Sequence, residues 1–271
     1  MDTVNIVFDL GGTKMRVAAA NGAGLEEIHK IPTPPNPREG LSELSRLAHE
    51  AAQGRAIAAV VGGVPGIASG GILHWLPNLS HWNGLNLKAA LEKELGARVR
   101  IEHDTAVIGL AEVHEGAGKG SRICAYVTVS TGVGGDRIID GAIDRTTYGF
   151  EIGHQLVNGE ELEALVSGTA VKKKFGIEPM DLDSLEEREK LADLLAIGLY
   201  NTTLHWSPDT IVLGGSMIVG KNPIPLARVE SELTRRLPMY PTVPAIKMAA
   251  MGDDGGLRGA ALLARSLTSH S

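Results

Sequence analysis

Apolar residues along this chain come in two rhythms. Short unbroken runs stop abruptly on glycine or aspartate, while longer stretches repeat an apolar residue every three or four positions; the first reads as buried strand, the second as helix. Residues 4–20, VNIVFDLGGTKMRVAAA, open with a strand that stops on Asp9, turn at Gly11-Gly12-Thr13-Lys14, and carry the chain back through β-prone MRVAA. Residues 31–40 hold four prolines and are expected to form an extended surface loop. The stripe Leu41, Leu44, Leu47, Ala48 and Ala51 predicts a helix over 41–53, and residues 58–64 predict a strand running into the loop Gly62-Gly63-Val64-Pro65-Gly66. A polar loop with Asn78 and Trp82 precedes a helix over 87–95. The strand 98–102 then delivers His103 and Asp104, and a helix over 105–115 begins at once.

After Gly116, Gly118 and Gly120 the pattern starts again. Residues 123–129 are an apolar strand, Ser130-Thr131-Gly132-Val133-Gly134-Gly135 a glycine turn, and 137–143 a returning strand. Next come a loop at 148–153 leading to Glu151 and His154, a helix from 160 to about 175, and a long helix from 185 to about 206. A buried strand at 210–213 ends in Gly214-Gly215-Ser216, and a helix (226–237), a strand (245–251) and a helix (256–267) complete the sequence. The hairpin recurs half a chain later, so two related α/β domains are expected to face each other across a cleft. Their expected bounds are residues 1–118 with 252–271 and residues 119–251.

Composition narrows the class. With 271 residues, 43% of them hydrophobic, the chain can fill sizeable cores. The net charge of −6, without a lysine or arginine block, argues against a nucleic-acid or membrane-surface partner. The start of the chain has no basic-then-apolar leader and no run reaches membrane-spanning length, so a cytoplasmic protein is expected. The single cysteine, Cys124, rules out an internal disulfide and a cysteine zinc cluster. The 34 glycines lie at strand ends and turns, as in an α/β enzyme.

The glycine turns carry the candidate chemistry. Adjacent glycines let a phosphate approach main-chain N–H groups. A Walker loop or a dinucleotide fingerprint would open a helix, whereas Gly11-Gly12 runs straight into a strand, so this is a phosphate-binding hairpin or an ordinary tight turn. Asp9, at the end of a buried strand, is placed to hold magnesium through water. Asp104 by itself would serve as a helix cap. Glu151 and His154 form an E-x-x-H, but half of a dimetal site needs a second copy, which is absent. Glu163, near Glu160 and Glu161, would by itself be a solvated helix face.

The chain resembles the ROK family of sugar kinases and sugar-responsive repressors, within the actin-like (ribonuclease-H-like) ATPase superfamily. The resemblance rests on DLGGTK (9–14), VPG (64–66), PNL (77–79), HDTAVIGLAE (103–112), STGVGG (130–135), EIGH (151–154), ExxxSG (163–168), VLGGS (212–216) and GLRGAALLA (256–264), in order over nearly the whole chain. It implies two α/β lobes of the actin-like type with an interdomain cleft, and transfer of the γ-phosphate of MgATP to a hydroxyl of a hexose such as glucose, mannose or an N-acetylhexosamine. It also implies that Asp104 is the general base, and that Gly66, Asn78, His103, Asp104, Glu151, His154 and Glu163 contact the sugar. Gly11, Gly12, Thr13, Lys14, Thr131, Gly132, Gly134, Gly214, Gly215 and Ser216 would hold the nucleotide, with Asp9 on magnesium. Two glycine turns, a metal and one base are what phosphoryl transfer requires.

Two departures from the family pattern stand out. Larger members carry a cysteine-rich zinc loop between EIGH and ExxxSG; here QLVNGEEL replaces it, so no zinc is expected and another contact must hold His154. His103 stands where relatives usually have asparagine, which puts the sugar in question, and Asp136 brings a negative charge close to the second turn. A polyphosphate-using glucokinase and a sugar-binding pseudo-kinase are therefore the alternatives. A repressor would need a helix-turn-helix module ahead of Asp9, for which no room is expected. Relatives are often homodimers, and a homodimer is expected.

Overall fold

In the computed structural model, which describes residues 2–22 and 24–268, the chain folds into two units. One comprises Met1–Ala111, Arg145–Gly149 and Gly252–Ser271, the other Glu112–Asp144 and Phe150–Met251.

The first unit is built on β1 (Thr3–Leu10), β2 (Lys14–Asn21), β3 (Gly24–Pro32), α1 (Pro37–Ala52), β4 (Ala56–Val64), the short β5 (Ile67–Ser69) and β6 (Ile72–Trp75), α2 (Leu87–Leu95), β7 (Arg98–His103) and α3 (Asp104–Glu115). Its sheet has the order β3-β2-β1-β4-β7, with β1, β2 and β3 antiparallel and β4 and β7 parallel to β1. Ile6, Phe8 and Leu10 of β1 point to one face, where Leu44, Leu47 and Ala48 of α1 join them in a core that includes Trp82. The proline-rich stretch is mostly ordered structure, contrary to the expected loop. β3 runs to Pro32, and α1 starts at Pro37, where the missing N–H costs nothing and Asn36 caps the helix through Arg38 N–H at 2.9 Å.

The second unit repeats the scheme with β8 (Ile123–Val129), β9 (Val133–Ile139), β10 (Ala142–Ile143), β11 (Leu156–Val157), β12 (Glu160–Glu161), α4 (Leu162–Val166), α5 (Gly168–Phe175), α6 (Leu185–Trp206), β13 (Thr210–Gly214), α7 (Ser216–Val219), α8 (Leu226–Arg236) and β14 (Ala245–Met248). Its sheet order, β10-β9-β8-β13-β14, matches that of the first, including which pairs are antiparallel and which parallel. The helix expected over 160–175 is broken. Residues 160 and 161 pair with β11, and Ser167 sits extended between α4 and α5, its hydroxyl capping α5 through Ala170 N–H at 3.1 Å. β14 stops three residues short of the expected strand because the N–H groups of Ala250 and Met251 turn to Glu112 Oε1 (2.8 and 2.9 Å). That carboxylate is fully buried and also accepts from Ala117 N–H at 2.8 Å.

The last helix, α9 (Gly255–Thr268), returns to the first unit and packs on β1 and β4. It crosses α3 so closely at Gly259 that a Cβ there would lie 1.7 Å from Val107 O. Among the described residues no helix is long and apolar enough to cross a membrane.

Candidate active site

In the first unit, strand register brings the predicted residues to one sheet edge. Asp9 lies beside Gly63 of β4, Gly63 beside Glu102 of β7, and Val64 beside His103. The carboxyl ends of parallel strands are where open α/β sheets bind ligands. Asp104 begins α3, about one-third exposed, and its Oδ1 accepts from Thr105 N–H at 2.7 Å, so capping is part of its role. His103 lies alongside, with Nε2 3.5 Å from Asp104 Oδ1 and Nδ1 2.9 Å from Thr105 Oγ1. Gly66 leaves β4 at φ +70°, and a Cβ there would sit 2.2 Å from Trp75 O, so both backbone and space demand glycine.

The first glycine turn needs glycine for space and not for backbone angle, since neither Gly11 nor Gly12 has positive φ. A Cβ on Gly12 would come within 2.7 Å of Asn78 Cβ, so Asn78 lies directly against the turn. Thr33 fastens the turn from behind: its hydroxyl donates to Gly11 O at 2.7 Å and its N–H to Thr13 O at 3.0 Å. Thr13 and Lys14 are exposed. Asp9 is paired with Arg16, its cross-strand neighbour, whose Nη2 is 2.5 Å from Oδ2 and which also donates to Asp253 O. Arg16 escaped the sequence reading, although counting register across the turn would have found it. Magnesium fits this setting as an ion carried mainly by phosphate and water beside one carboxylate. Among the described residues no group of three or more His, Cys, Asp or Glu could hold a metal.

In the second unit the STGVGG turn is braced by the segment after it. Gly168 N–H donates to Ser130 O (2.7 Å), Thr169 Oγ1 to Thr131 O (2.7 Å), and Val133 N–H to Glu163 Oε2 (2.8 Å). Gly134, next along β9, pairs with Thr128. Gly214 ends β13, and Gly215 follows at φ +87°, where a Cβ would meet Val129 O at 2.3 Å. Ser216 Oγ then lies 3.3 Å from Ser130 Oγ. Together these loops wall a cavity of about 440 Å³ lined by Thr131, Gly168, Lys172, Met180, Ser216 and Lys221 among others. That volume suits a small-molecule ligand. The lysines and Met180 were not foreseen, being ordinary helix and loop residues in sequence.

Glu151 precedes a short 3-10 turn that His154 ends, and His154 Nδ1 lies 3.0 Å from Glu161 Oε2, so a carboxylate holds this imidazole. Glu163 is no solvated helix face, since its carboxylate sits beneath the second turn. Asp136 is buried in β9 opposite Tyr126 and lies beyond the turn proper. Burial pushes the Cys124 thiol up to about 12.

Two sheets of matching order, each with its glycine hairpin, form the α/β fold of the actin-like ATPases. The chain belongs to the ROK family, whose model matches residues 5–267. Over 94% of its length it is 29% identical to an N-acetyl-D-glucosamine kinase of Pectobacterium atrosepticum, covering 97% of that protein. It superposes on a ROK hexokinase from Thermus thermophilus with a TM-score of 0.85 at 26% identity, covering 99% of this chain and 100% of the other. A ROK family glucokinase from Streptomyces griseus, solved with glucose and AMPPNP, shares the fold with a TM-score of 0.79 at 23% identity, covering 97% and 99% of the two chains. The protein is an ATP-dependent sugar kinase.

Proposed function

We propose that this kinase transfers the γ-phosphate of MgATP to a hydroxyl of glucose or a close relative, such as mannose or an N-acetylhexosamine, with Asp104 as general base. The observation that carries the reading is the position of Asp104. It is a part-exposed carboxylate at the carboxyl edge of the first unit's sheet, on the same edge as Asp9 and the glycine turn. A carboxylate held there by Thr105 N–H can accept the proton of a sugar hydroxyl and orient it at the same time. Gly66, Asn78 and His103 are the acceptor contacts of this unit, and Glu151 and His154 those of the other. On the donor side, Gly11 to Lys14, Thr131, Gly132, Gly134 and Gly214 to Ser216 are the nucleotide contacts. Asp9 would hold magnesium through water, an ion that neutralises charge on the phosphates when bound. By family resemblance the enzyme is a cytoplasmic homodimer.

The test is a coupled ADP-release assay over glucose, mannose, N-acetylglucosamine, N-acetylmannosamine and fructose. Asp104→Asn should fold with an unchanged melting temperature and lose about 10²–10⁴ of turnover. Near wild-type turnover in that variant would overturn the assignment. Polyphosphate is to be tried as a second donor in the same assay; Lys172 and Lys221 line the donor cavity, and each would have to leave its carboxylate partner, Glu178 or Asp181, to meet it.

A further inference from the structure

An asparagine amide offers a donor and an acceptor side by side. A neutral imidazole offers one of each on different edges of the ring, so the contact made at one nitrogen decides what the other presents. At His103, Nδ1 lies 2.9 Å from Thr105 Oγ1, and Nε2 lies 3.5 Å from Asp104 Oδ1. A carboxylate favours a proton on the ring nitrogen that faces it, which makes Nε2 the donor and Nδ1 the acceptor. Nδ1 then calls for an O–H or N–H, and the Thr105 hydroxyl is within reach to donate. Thr105 is 3% exposed and the His103 side chain 12% exposed, so water is a poor substitute for that hydroxyl. Gly149, at φ +87°, also passes on this side, where a Cβ would come 3.9 Å from Nδ1. The same threonine touches the base through its backbone, since its N–H donates to Asp104 Oδ1 at 2.7 Å.

We infer that Thr105 is a positioning residue for the acceptor sugar: its hydroxyl donates to His103 Nδ1 and fixes the ring in the Nε2–H form, with that N–H beside the Asp104 carboxylate. The first unit then presents a donor next to an acceptor. One sugar hydroxyl can give its proton to Asp104 while the oxygen of a second accepts from His103 Nε2–H. Asparagine supplies such a donor without help, whereas histidine needs Nδ1 occupied, which is what Thr105 provides. This rests on the reading of His103 as an acceptor contact.

The experiment combines histidine-ring nitrogen NMR of the intact labelled protein at about pH 8, above the ordinary imidazole range, with separate KM values for glucose and ATP. His103→Ala assigns the His103 signal and tests the contact itself. Wild type should show His103 in the Nε2–H form. Thr105→Val, which keeps the backbone N–H and the side-chain shape but removes the hydroxyl, should mix the two tautomers and raise the glucose KM about fivefold or more, with the ATP KM within about twofold. Thr105→Ser should restore both the tautomer and the KM. A wild-type ring in the Nδ1–H form would overturn the inference even if the valine variant did not fold. An unchanged glucose KM in Thr105→Val where His103→Ala raises it, a serine variant as weak as valine, or an equal rise in the ATP KM would overturn it too, and each leaves the kinase reading standing. An unchanged glucose KM in His103→Ala would overturn the contact and the inference together.

Discussion

The turn after Leu10 and the turn after Val129 occupy the same place in two sheets of the same strand order, yet they are equipped differently. One step from the first turn the cross-strand pair is Asp9 and Arg16, a salt bridge inside the hairpin itself. One step from the second turn the pair is Thr128 and Gly134, and the nearby carboxylate belongs to Glu163 on α4. The first turn therefore carries its charges wherever the hairpin forms. The second depends on α4 and α5 being in place. A repeated glycine pattern predicts a repeated backbone, and the polar groups around each copy must be read separately.

Removing the charge that only the first turn owns should have the largest effect. Asp9→Asn is expected to lower turnover about 10²–10³-fold and to raise the magnesium concentration needed for half-maximal rate, with the unit still folded. Equal magnesium curves for variant and wild type would show that the charged pair serves the hairpin alone. Next come matched alanine substitutions. In Gly12→Ala the new methyl meets Asn78 Cβ, which is fixed to its backbone, so about 1–3 kcal/mol of stability should be lost in urea denaturation. In Gly132→Ala it meets the end of the Glu163 side chain, which can swing away, so nucleotide affinity should suffer more than stability. The reverse pattern would break the distinction between the turns.

The smallest effect concerns acid. In the first unit Arg55 holds the Glu26 carboxyl below its ordinary value, with two hydrogen bonds of 2.7 Å. In the second, Arg235 and Arg236 draw Glu232 down to about 2. A carboxyl depressed on folding adds stability above its unfolded value and loses that contribution as pH falls through the folded one. Both contributions should be complete above about pH 5, and that of Glu232 should fade between about pH 4.5 and 2. Glu232→Gln should slightly lower the melting temperature at neutral pH and match wild type near pH 2, as followed by calorimetry. Each pair keeps at least one partner open to solvent, Arg55 and Glu26 in part and Arg235 largely, so the shifts should be small.

The repeated strand–turn–strand unit and the strand ends bearing Asp9, Gly63, His103 and Asp104 were legible because apolar runs announce buried strands and glycine marks their ends. β3 was missed because GLEEIHKIP is an edge strand with no fully buried position, so no apolar run gives it away. The break at Ser167 was hidden within a plausible helical stripe. The contacts of Glu112 and Glu163 lie beyond any local pattern: Glu112 bonds residues 138 and 139 positions away, Glu163 one 30 positions away. An acidic residue in a helix looks alike in sequence whether it meets water or a buried N–H.

The return of α9 to the first unit has a consequence for how the protein is made. β1 and β4 are translated early, but the helix that packs on them begins only at Gly255, after the whole second unit has been synthesised. Val7, on the opposite side of β1 from Ile6 and Phe8, must wait for that helix. At ordinary translation rates the wait is on the order of ten seconds or more. During that interval the apolar side of β1 and β4 that α9 covers is open to water, while every residue of the second unit has already been synthesised.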